Sequence, residues 1–449
     1  MSPSFVRFGT DGVRGVANTQ ITPEFALALA RATARAFRAS EIVIGCDTRR
    51  SGGMLEAASA AGAAAEGADA VLIDVAPTPA VAAECARRDA PGIVVSASHN
   101  PFADNGLKVI GPGGHKLDDA LQARIEALLS DGPAPVDVPV GASVGEVRRD
   151  PSALERYGDQ VLAALEGRGL SGLRIVLDTA NGAAHRVAPA VLDRAGAEVT
   201  TIGDEPDGTN INDGCGSTAP ELLARTVVDG GADLGIALDG DADRLVAVDH
   251  RGRVVDGDHI IALCALDLRA RGRLADETVV VTVMSNLGFH RAMAAAGIDV
   301  IETPVGDRHV LDALQRSGAA LGGEQSGHII FTEHATTGDG LLAALLLTDL
   351  VVRSGRPLAD LADEAMTSLP QVLHNVAVSS PMPDVTDRIS DELAAVVADL
   401  GDDGRVLVRP SGTEPVVRVM VEADAVERAE GCAERLVAAV EAVASRGGA

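Results

Sequence analysis

The sequence predicts an α/β protein made of three similar α/β blocks with mixed sheets and a smaller C-terminal α+β domain. Three observations predict it. Short all-apolar strands alternate with helical stretches, the pattern of sheets covered on both faces and rich in parallel pairs. That alternation restarts twice along the chain, and its texture changes at about residue 369. At 449 residues the chain is too long for one hydrophobic core, so several domains are expected, with boundaries at 1–150, 151–253, 254–368 and 369–449.

Thr22-Pro23-Glu24 reads as an N-cap and first turn before the apolar stripe Phe25, Leu29, Ala32, Ala36. Ile42-Val43-Ile44 is a short strand, an Ala-rich helix follows over 54–65, and 71–75 and 93–95 repeat the strand signal. The Pro/Gly-rich run from Asp131 to Gly141 is the clearest connector. Beyond it, strands are expected at 174–177, 198–202 and 233–238, with helices near 183–195 and 220–229. The third block reads as helix 260–268, strand 279–284, helix 288–296, strand 300–302 and helix 310–316. The last domain offers strands at 405–409 and 416–421 between helices at 384–398 and 425–444.

Composition narrows the function. A net charge of −27 argues against nucleic acid or an anionic membrane surface as the partner. No apolar run reaches 18 residues and the N-terminus lacks a signal-peptide pattern, so a cytoplasmic protein is expected. Five scattered cysteines with no metal-ligand spacing read as small buried hydrophobes. With no Trp, one Tyr and seven Phe, the core is expected to be aliphatic and stacking platforms for bases are lacking. Only Lys108 and Lys116 are lysines among 38 basic residues, which singles them out, because an amine can shift its pKa and move a proton where a guanidinium cannot.

Four loops carry chemistry. Val94-Val95-Ser96-Ala97-Ser98-His99-Asn100-Pro101 leaves an apolar strand with Ser98 beside His99; the G-x-S-x-G elbow of a hydrolase is missing, which turns attention away from acyl transfer. Asp239, Asp241 and Asp243 follow a strand at i, i+2, i+4, so an extended loop points three carboxylates the same way, a costly arrangement unless a cation joins them. Oxygen-only ligation suits Mg²⁺ or Ca²⁺, and the EF-hand pattern fails at Arg244 and His250. Gly322-Gly323-Glu324-Gln325-Ser326-Gly327-His328 offers donors and acceptors for sugar-like hydroxyls, or simply a polar turn. Arg409-Pro410-Ser411-Gly412-Thr413-Glu414-Pro415, with Arg418 beyond, has the makings of an anion cradle, and no Walker A spacing occurs. A serine, a metal site, a polyol reader and a phosphate cradle together are what phosphoryl transfer on a sugar requires.

With the opening Phe8-Gly9-Thr10-Asp11-Gly12-Val13-Arg14-Gly15, these motifs in this order make the whole chain resemble the α-D-phosphohexomutase superfamily, and within it the bacterial phosphoglucosamine mutase family. The resemblance implies four domains around a central cleft and a phosphoserine at Ser98. It implies a double transfer that interconverts glucosamine 6-phosphate and glucosamine 1-phosphate through glucosamine 1,6-bisphosphate, an isomerase step in amino-sugar and peptidoglycan precursor synthesis. Mg²⁺ is then held by Asp239, Asp241, Asp243 and a phosphoserine oxygen. Arg14 and Arg244 steady the phosphoryl group, while His99 and Lys108 are candidates for moving the hydroxyl proton. Glu324, Ser326, His328 and the loop with Arg308 serve the sugar; Arg409, Ser411, Gly412, Thr413 and Arg418 hold the other phosphate. Asn210-Ile211-Asn212 belongs to the same resemblance without an assigned role, and Lys116 is likewise unassigned. Members of the family are often dimers, which implies a homodimer. The alternatives are a phosphomannomutase/phosphoglucomutase with the same apparatus and a non-catalytic sugar-phosphate sensor, the latter opposed by Ser98, the three aspartates and both lysines.

Overall fold

The structure, a computed structural model, describes residues 12–130, 138–410 and 415–446. The first block carries β1 (Val13–Val16), β2 (Glu41–Cys46), β3 (Asp69–Val75), β4 (Gly92–Val95), β5 (Asp104–Ile110) and β6 (Val147–Arg149), in the spatial order β1-β5-β4-β2-β3-β6. Strand β2 lies between parallel β3 and β4, and β5 then pairs antiparallel with β4. Consecutive β2 residues Ile42, Val43 and Ile44 are all fully buried. Successive side chains point to opposite faces, so both faces of this sheet are covered, as the unbroken apolar run requires.

The next two blocks repeat the pattern. β7 (Arg174–Asp178), β8 (Glu198–Ile202), β9 (Leu234–Leu238), β10 (Leu245–Asp249) and β11 (Val254–Val255) take the order β11-β10-β9-β7-β8. β12 (Thr278–Thr282), β13 (Asp299–Thr303), β14 (Leu321–Gly323) and β15 (Ile329–Phe331) take the order β13-β12-β14-β15. In each case a hub strand (β2, β7, β12) has parallel neighbours on both sides, and one neighbour (β4, β9, β14) then carries an antiparallel partner (β5, β10, β15). The turn into that antiparallel strand is therefore the same turn three times. It holds Ser98 in the first block, Asp239 to Arg244 in the second and Glu324 to His328 in the third.

The described chain falls into two compact units, 12–284 with 298–365, and 285–297 with 366–446. The second is an α+β layer in which β16 (Gln371–Ala377), β17 (Arg405–Pro410) and β18 (Val416–Glu422) form an antiparallel sheet ordered β16-β18-β17. The helix Leu287–Ala295, inside the stretch expected as the third block, groups with this unit: Leu287 N donates to Glu422 Oε2 at 2.8 Å and Asn286 Nδ2 to Leu369 O at 2.9 Å.

The expected helix Pro23–Phe37 forms with Thr22 as its cap, whose Oγ1 accepts from Phe25 N at 3.2 Å. The core is aliphatic, with Tyr157, Phe289 and Phe331 the buried Tyr and Phe among the described residues, and all five cysteines are free and buried. Two expected helices are corrected. The one at 183–195 begins only at Val187, because residues 179–183 are spent in a tight turn against Gly203 and Gly240. The one at 384–398 is broken at Ile389, whose φ of −111° and ψ of 16° separate Val385–Arg388 from Ser390–Leu400. The Asp131 end of the connector and the start of the Phe8 motif lie outside the described residues.

Candidate active site

Ser98 sits where β4 ends, in the left-handed region at φ 53°, which costs a non-glycine residue energy and is retained only where its surroundings impose it. Its Oγ donates to Asp239 Oδ2 at 2.5 Å and lies 3.3 Å from His99 Nδ1, while its N–H donates to Ser96 Oγ at 3.0 Å. The serine of the first block thus meets the acidic loop of the second. Two glycines allow the approach: a Cβ on Gly240 would lie 2.5 Å from Ser98 O, and one on Gly182 would lie 2.5 Å from Gly240 O.

Asp239, Asp241 and Asp243 are all buried, with one oxygen from each within 4.8 Å of the others. Ala242 between them adopts φ 56°. Burial, reinforced by Asp243 and Asp241, pushes the Asp239 carboxyl well above its usual range. Burial works the same way on Asp243, but Lys108, His328 and Arg244 overcome it and hold that carboxyl well below the usual range. Asp241 Oδ1 and Asp243 Oδ1 are buried without a hydrogen-bond partner. Convergent buried carboxylates with orphaned oxygens fit a hard divalent cation such as Mg²⁺.

Lys108, from β5, is the cation already there. Its Nζ lies 2.8 Å from Asp241 Oδ2 and 3.4 Å from Asp243 Oδ2. Thr78 Oγ1 donates to the same Asp241 oxygen at 2.6 Å, and Thr78 N to Asp241 O at 3.0 Å. Arg244 N donates to Asp239 Oδ1 at 3.2 Å, and its guanidinium faces Asp243 at 3.8 Å. Burial, together with the charges of Arg244 and Arg14, pushes the His99 imidazole down to about 4, so it is neutral near pH 7. Arg14 occupies β1 opposite Gly106.

The remaining expected residues divide. Glu324 Oε1 accepts from Gly306 N at 3.0 Å, and Ser326 Oγ, on an exposed residue, donates to Glu324 Oε2 at 3.3 Å. His328 lies beside them in its backbone, its O accepting from Glu324 N at 2.9 Å, but its side chain is buried and engaged elsewhere: Nε2 accepts from Gly338 N at 3.2 Å, and Nδ1 lies 3.7 Å from Asp243 Oδ2. Arg308 pairs with Asp119 at 2.8 Å and donates to Gln122 at 3.4 Å, while Lys116 pairs with Asp307, so this loop is tied to the first block. In the C-terminal unit Arg409 and Arg418 are directly opposed across β17 and β18. Ser411, Gly412 and Thr413, which join those strands, lie outside the described residues. Sequence reasoning missed Arg49, Thr78 and the use of Asn212; the signal for Arg49 was a charged Asp47-Thr48-Arg49 directly after the apolar β2.

Four family models match in order: phosphoglucomutase/phosphomannomutase α/β/α domain I over residues 6–134, domain II over 155–252, domain III over 256–369 and the C-terminal domain over 363–439. The chain belongs to the phosphoglucomutase/phosphomannomutase family. It is similar over nearly its whole length to the phosphoglucosamine mutase of Frankia alni, with 54% identity covering 97% of this chain and 98% of that one. Its fold is shared with a phosphoglucomutase/phosphomannomutase family protein from Burkholderia thailandensis, at a TM-score of 0.80 and 24% identity over 96% of this chain and 97% of that one. It is shared also with Aspergillus fumigatus N-acetylphosphoglucosamine mutase, solved in complex with GlcNAc-6P and magnesium, at a TM-score of 0.73 and 18% identity over 99% and 97% of the two chains. Among the described residues no helix is long and apolar enough to cross a membrane.

Proposed function

We propose that the protein interconverts glucosamine 6-phosphate and glucosamine 1-phosphate, with Ser98 as the phosphoryl carrier and glucosamine 1,6-bisphosphate as the intermediate. The observation that carries this reading is the Ser98 Oγ, strained into the left-handed region and directed at the first of three converging buried carboxylates. In the first half-reaction the bond from phosphorus to Ser98 Oγ breaks, a bond to the free sugar hydroxyl forms, and the proton of that hydroxyl is passed on to the departing Ser98 Oγ. In the second, the bond from the other phosphorus to its sugar oxygen breaks, a bond to Ser98 Oγ forms, and the serine proton is passed on to the sugar oxygen released.

Mg²⁺, when bound, would be held by Asp239, Asp241, Asp243 and a phosphoserine oxygen, and would neutralise charge on the transferring group. Arg244 and Arg14 add positive charge beside His99 and the serine loop. Of the two candidates for moving the hydroxyl proton, His99, neutral and 3.3 Å from Ser98 Oγ, can take it, and Lys108, the cation between two carboxylates, can give one to a departing oxygen. Glu324 and Ser326 serve the sugar hydroxyls from an accessible loop, with Arg308 on the neighbouring one. His328 supports Asp243 from behind. Arg409, Arg418, Ser411, Gly412 and Thr413 grip the phosphate not being transferred. A hexose bisphosphate primes the serine; cytoplasmic location and a homodimer rest on family resemblance.

Incubating Mg²⁺-loaded protein with glucosamine 6-phosphate and a trace of bisphosphate tests the reading. Glucosamine 1-phosphate should form with a higher kcat/KM than the products from mannose or glucose phosphates. Faster turnover of mannose or glucose phosphate would reassign the substrate, and no turnover of any of them would leave a sugar-phosphate sensor.

A further inference from the structure

Two side chains outside the proposed chemistry converge on the same two backbone oxygens. Arg49 Nη2 donates to Ser98 O at 3.0 Å and to Asn100 O at 2.5 Å. Asn212 Nδ2 donates to that Ser98 O at 2.9 Å and to that Asn100 O at 3.1 Å. Arg49 comes from the loop just after β2 in the first block, and Asn212 from the loop between β8 and the helix Glu221–Gly230 in the second.

Both donors are themselves fixed. Arg49 forms a fully buried ion pair with Asp47, whose Oδ1 also accepts from Arg49 N at 2.9 Å. Asn212 holds φ 57°, and its N–H donates to Ala180 O at 3.0 Å. Gly240 of the acidic loop packs so closely that a Cβ there would lie 2.9 Å from Asn212 Nδ2 and 2.5 Å from Ser98 O. The clamp, the serine loop and the carboxylates are therefore in direct contact. Four donated hydrogen bonds hold the Ser98 and Asn100 carbonyl oxygens in place, and with them the backbone on either side of His99 that carries the serine.

We propose that Arg49 and Asn212 are positioning residues for the phosphoryl transfer: they hold the Ser98 and Asn100 carbonyls so that the left-handed serine presents Oγ to the acidic loop. This inference rests on Ser98 being the phosphoryl carrier. Misplacing a reacting atom by an ångström costs about 100-fold in rate, so the loss should appear in the transfer step and leave substrate binding alone.

The test charges Ser98 with radiolabelled phosphate and follows single-turnover transfer to glucosamine 6-phosphate in the parent, Asn212→Ala, Asn212→Asp and Arg49→Lys. Asn212→Ala should slow transfer about 10- to 100-fold, with the KM for glucosamine 6-phosphate and the Mg²⁺ requirement within about threefold of the parent. The isosteric Asn212→Asp, which sets a carboxylate against both carbonyls, should be slower still. Arg49→Lys, which keeps the charge and one donor direction, should be intermediate if it folds; Asn212 is only half-buried, so its variants keep the inference testable if it does not. Transfer within threefold of the parent in Asn212→Ala, or a slowing matched by an equal rise in KM, overturns the inference. A parent that carries no label on Ser98 overturns the underlying reading and the inference with it.

Discussion

Lys108→Met removes a charge from the centre of the acidic loop at nearly constant volume. Lys108 is 4% exposed, with its Nζ 2.8 Å from Asp241 Oδ2 and 3.4 Å from Asp243 Oδ2. At an effective dielectric of about 20, such separations correspond to roughly 5 to 6 kcal/mol of attraction each, most of which offsets the cost of taking the ions out of water. Removing one partner of a buried pair leaves that cost uncompensated, so the variant should lose about 3 to 5 kcal/mol near pH 7 in EDTA. The loss should depend on pH. Burial opposes ionisation of Asp243, but Lys108, with His328 and Arg244, holds its folded-state pKa well below the usual range. A depressed carboxylate contributes stability that is present above its unfolded pKa of about 4 and is lost as pH falls through the folded value. The difference between parent and variant should therefore be full at pH 7 and shrink in acid. Mg²⁺ restores positive charge among the same oxygens, so saturating Mg²⁺ should narrow the gap. Tyr157, the one tyrosine in a chain without tryptophan, lies in the same unit and reports its unfolding in urea. A variant within about 0.5 kcal/mol of the parent in EDTA at pH 7, well short of the cost of breaking a buried pair, would refute the reasoning, as would a deficit that ignores pH.

Ser98→Ala should abolish mutase turnover, since Ser96 is the nearest spare hydroxyl and its Oγ is occupied by Ser98 N; mass spectrometry of active protein should place one labile phosphate on Ser98. Full activity in the alanine variant, or phosphate found on Ser96, would sink that assignment. Arg409→Lys keeps the charge but loses the guanidinium fork, and should cost about 10- to 100-fold in kcat/KM while Ser98 still accepts phosphate. More free bisphosphate should escape per turnover, and unchanged leakage with unchanged kcat/KM would remove Arg409 from the phosphate cradle. His99 is pushed down to about 4 by burial and by Arg244 and Arg14. The unfolded chain therefore binds the extra proton between about pH 4 and 6.5, and the contribution of His99 makes stability rise with pH across that window. An imidazole midpoint near 6.5 by NMR would contradict this environment.

The strands legible in the sequence were those buried on both faces, such as Ile42-Val43-Ile44 and 234–238, where apolar runs leave no alternative to a covered sheet. Strand β5 gave no such signal because it carries buried Asn105 and Lys108, polar residues placed there for the site. Strand β16 was equally silent, since most of its residues are partly or fully exposed. At the site, the three aspartates were readable from their spacing within one loop, whereas Ser98 took its role from the motif that carries the family resemblance. The scarcity of lysine pointed to Lys108 before any geometry did, and Lys116 proves to be paired with Asp307. What could not be read was help from far along the chain. Thr78 supports Asp241 across 163 positions, and Asn212 supports Ser98 across 114. Arg49 and Asn212 act on backbone carbonyls, which every residue has, so no local pattern announces the partner.

The placement of the helix Leu287–Ala295 has a consequence for biosynthesis. The chain passes through this helix between β12 and β13, yet the atoms that satisfy it come from Leu369 and Glu422. On a ribosome the helix emerges well before Met366 and everything after it, so Asn286 and Leu287 wait without those partners while the rest of the third block is being made. Phe289 and Met293, fully buried in the finished protein, wait with them. A nascent chain stalled anywhere between Gly297 and Met366 thus presents an apolar helix that its own unit cannot yet cover, which is the interval in which a chaperone would find it and a prematurely terminated product would aggregate.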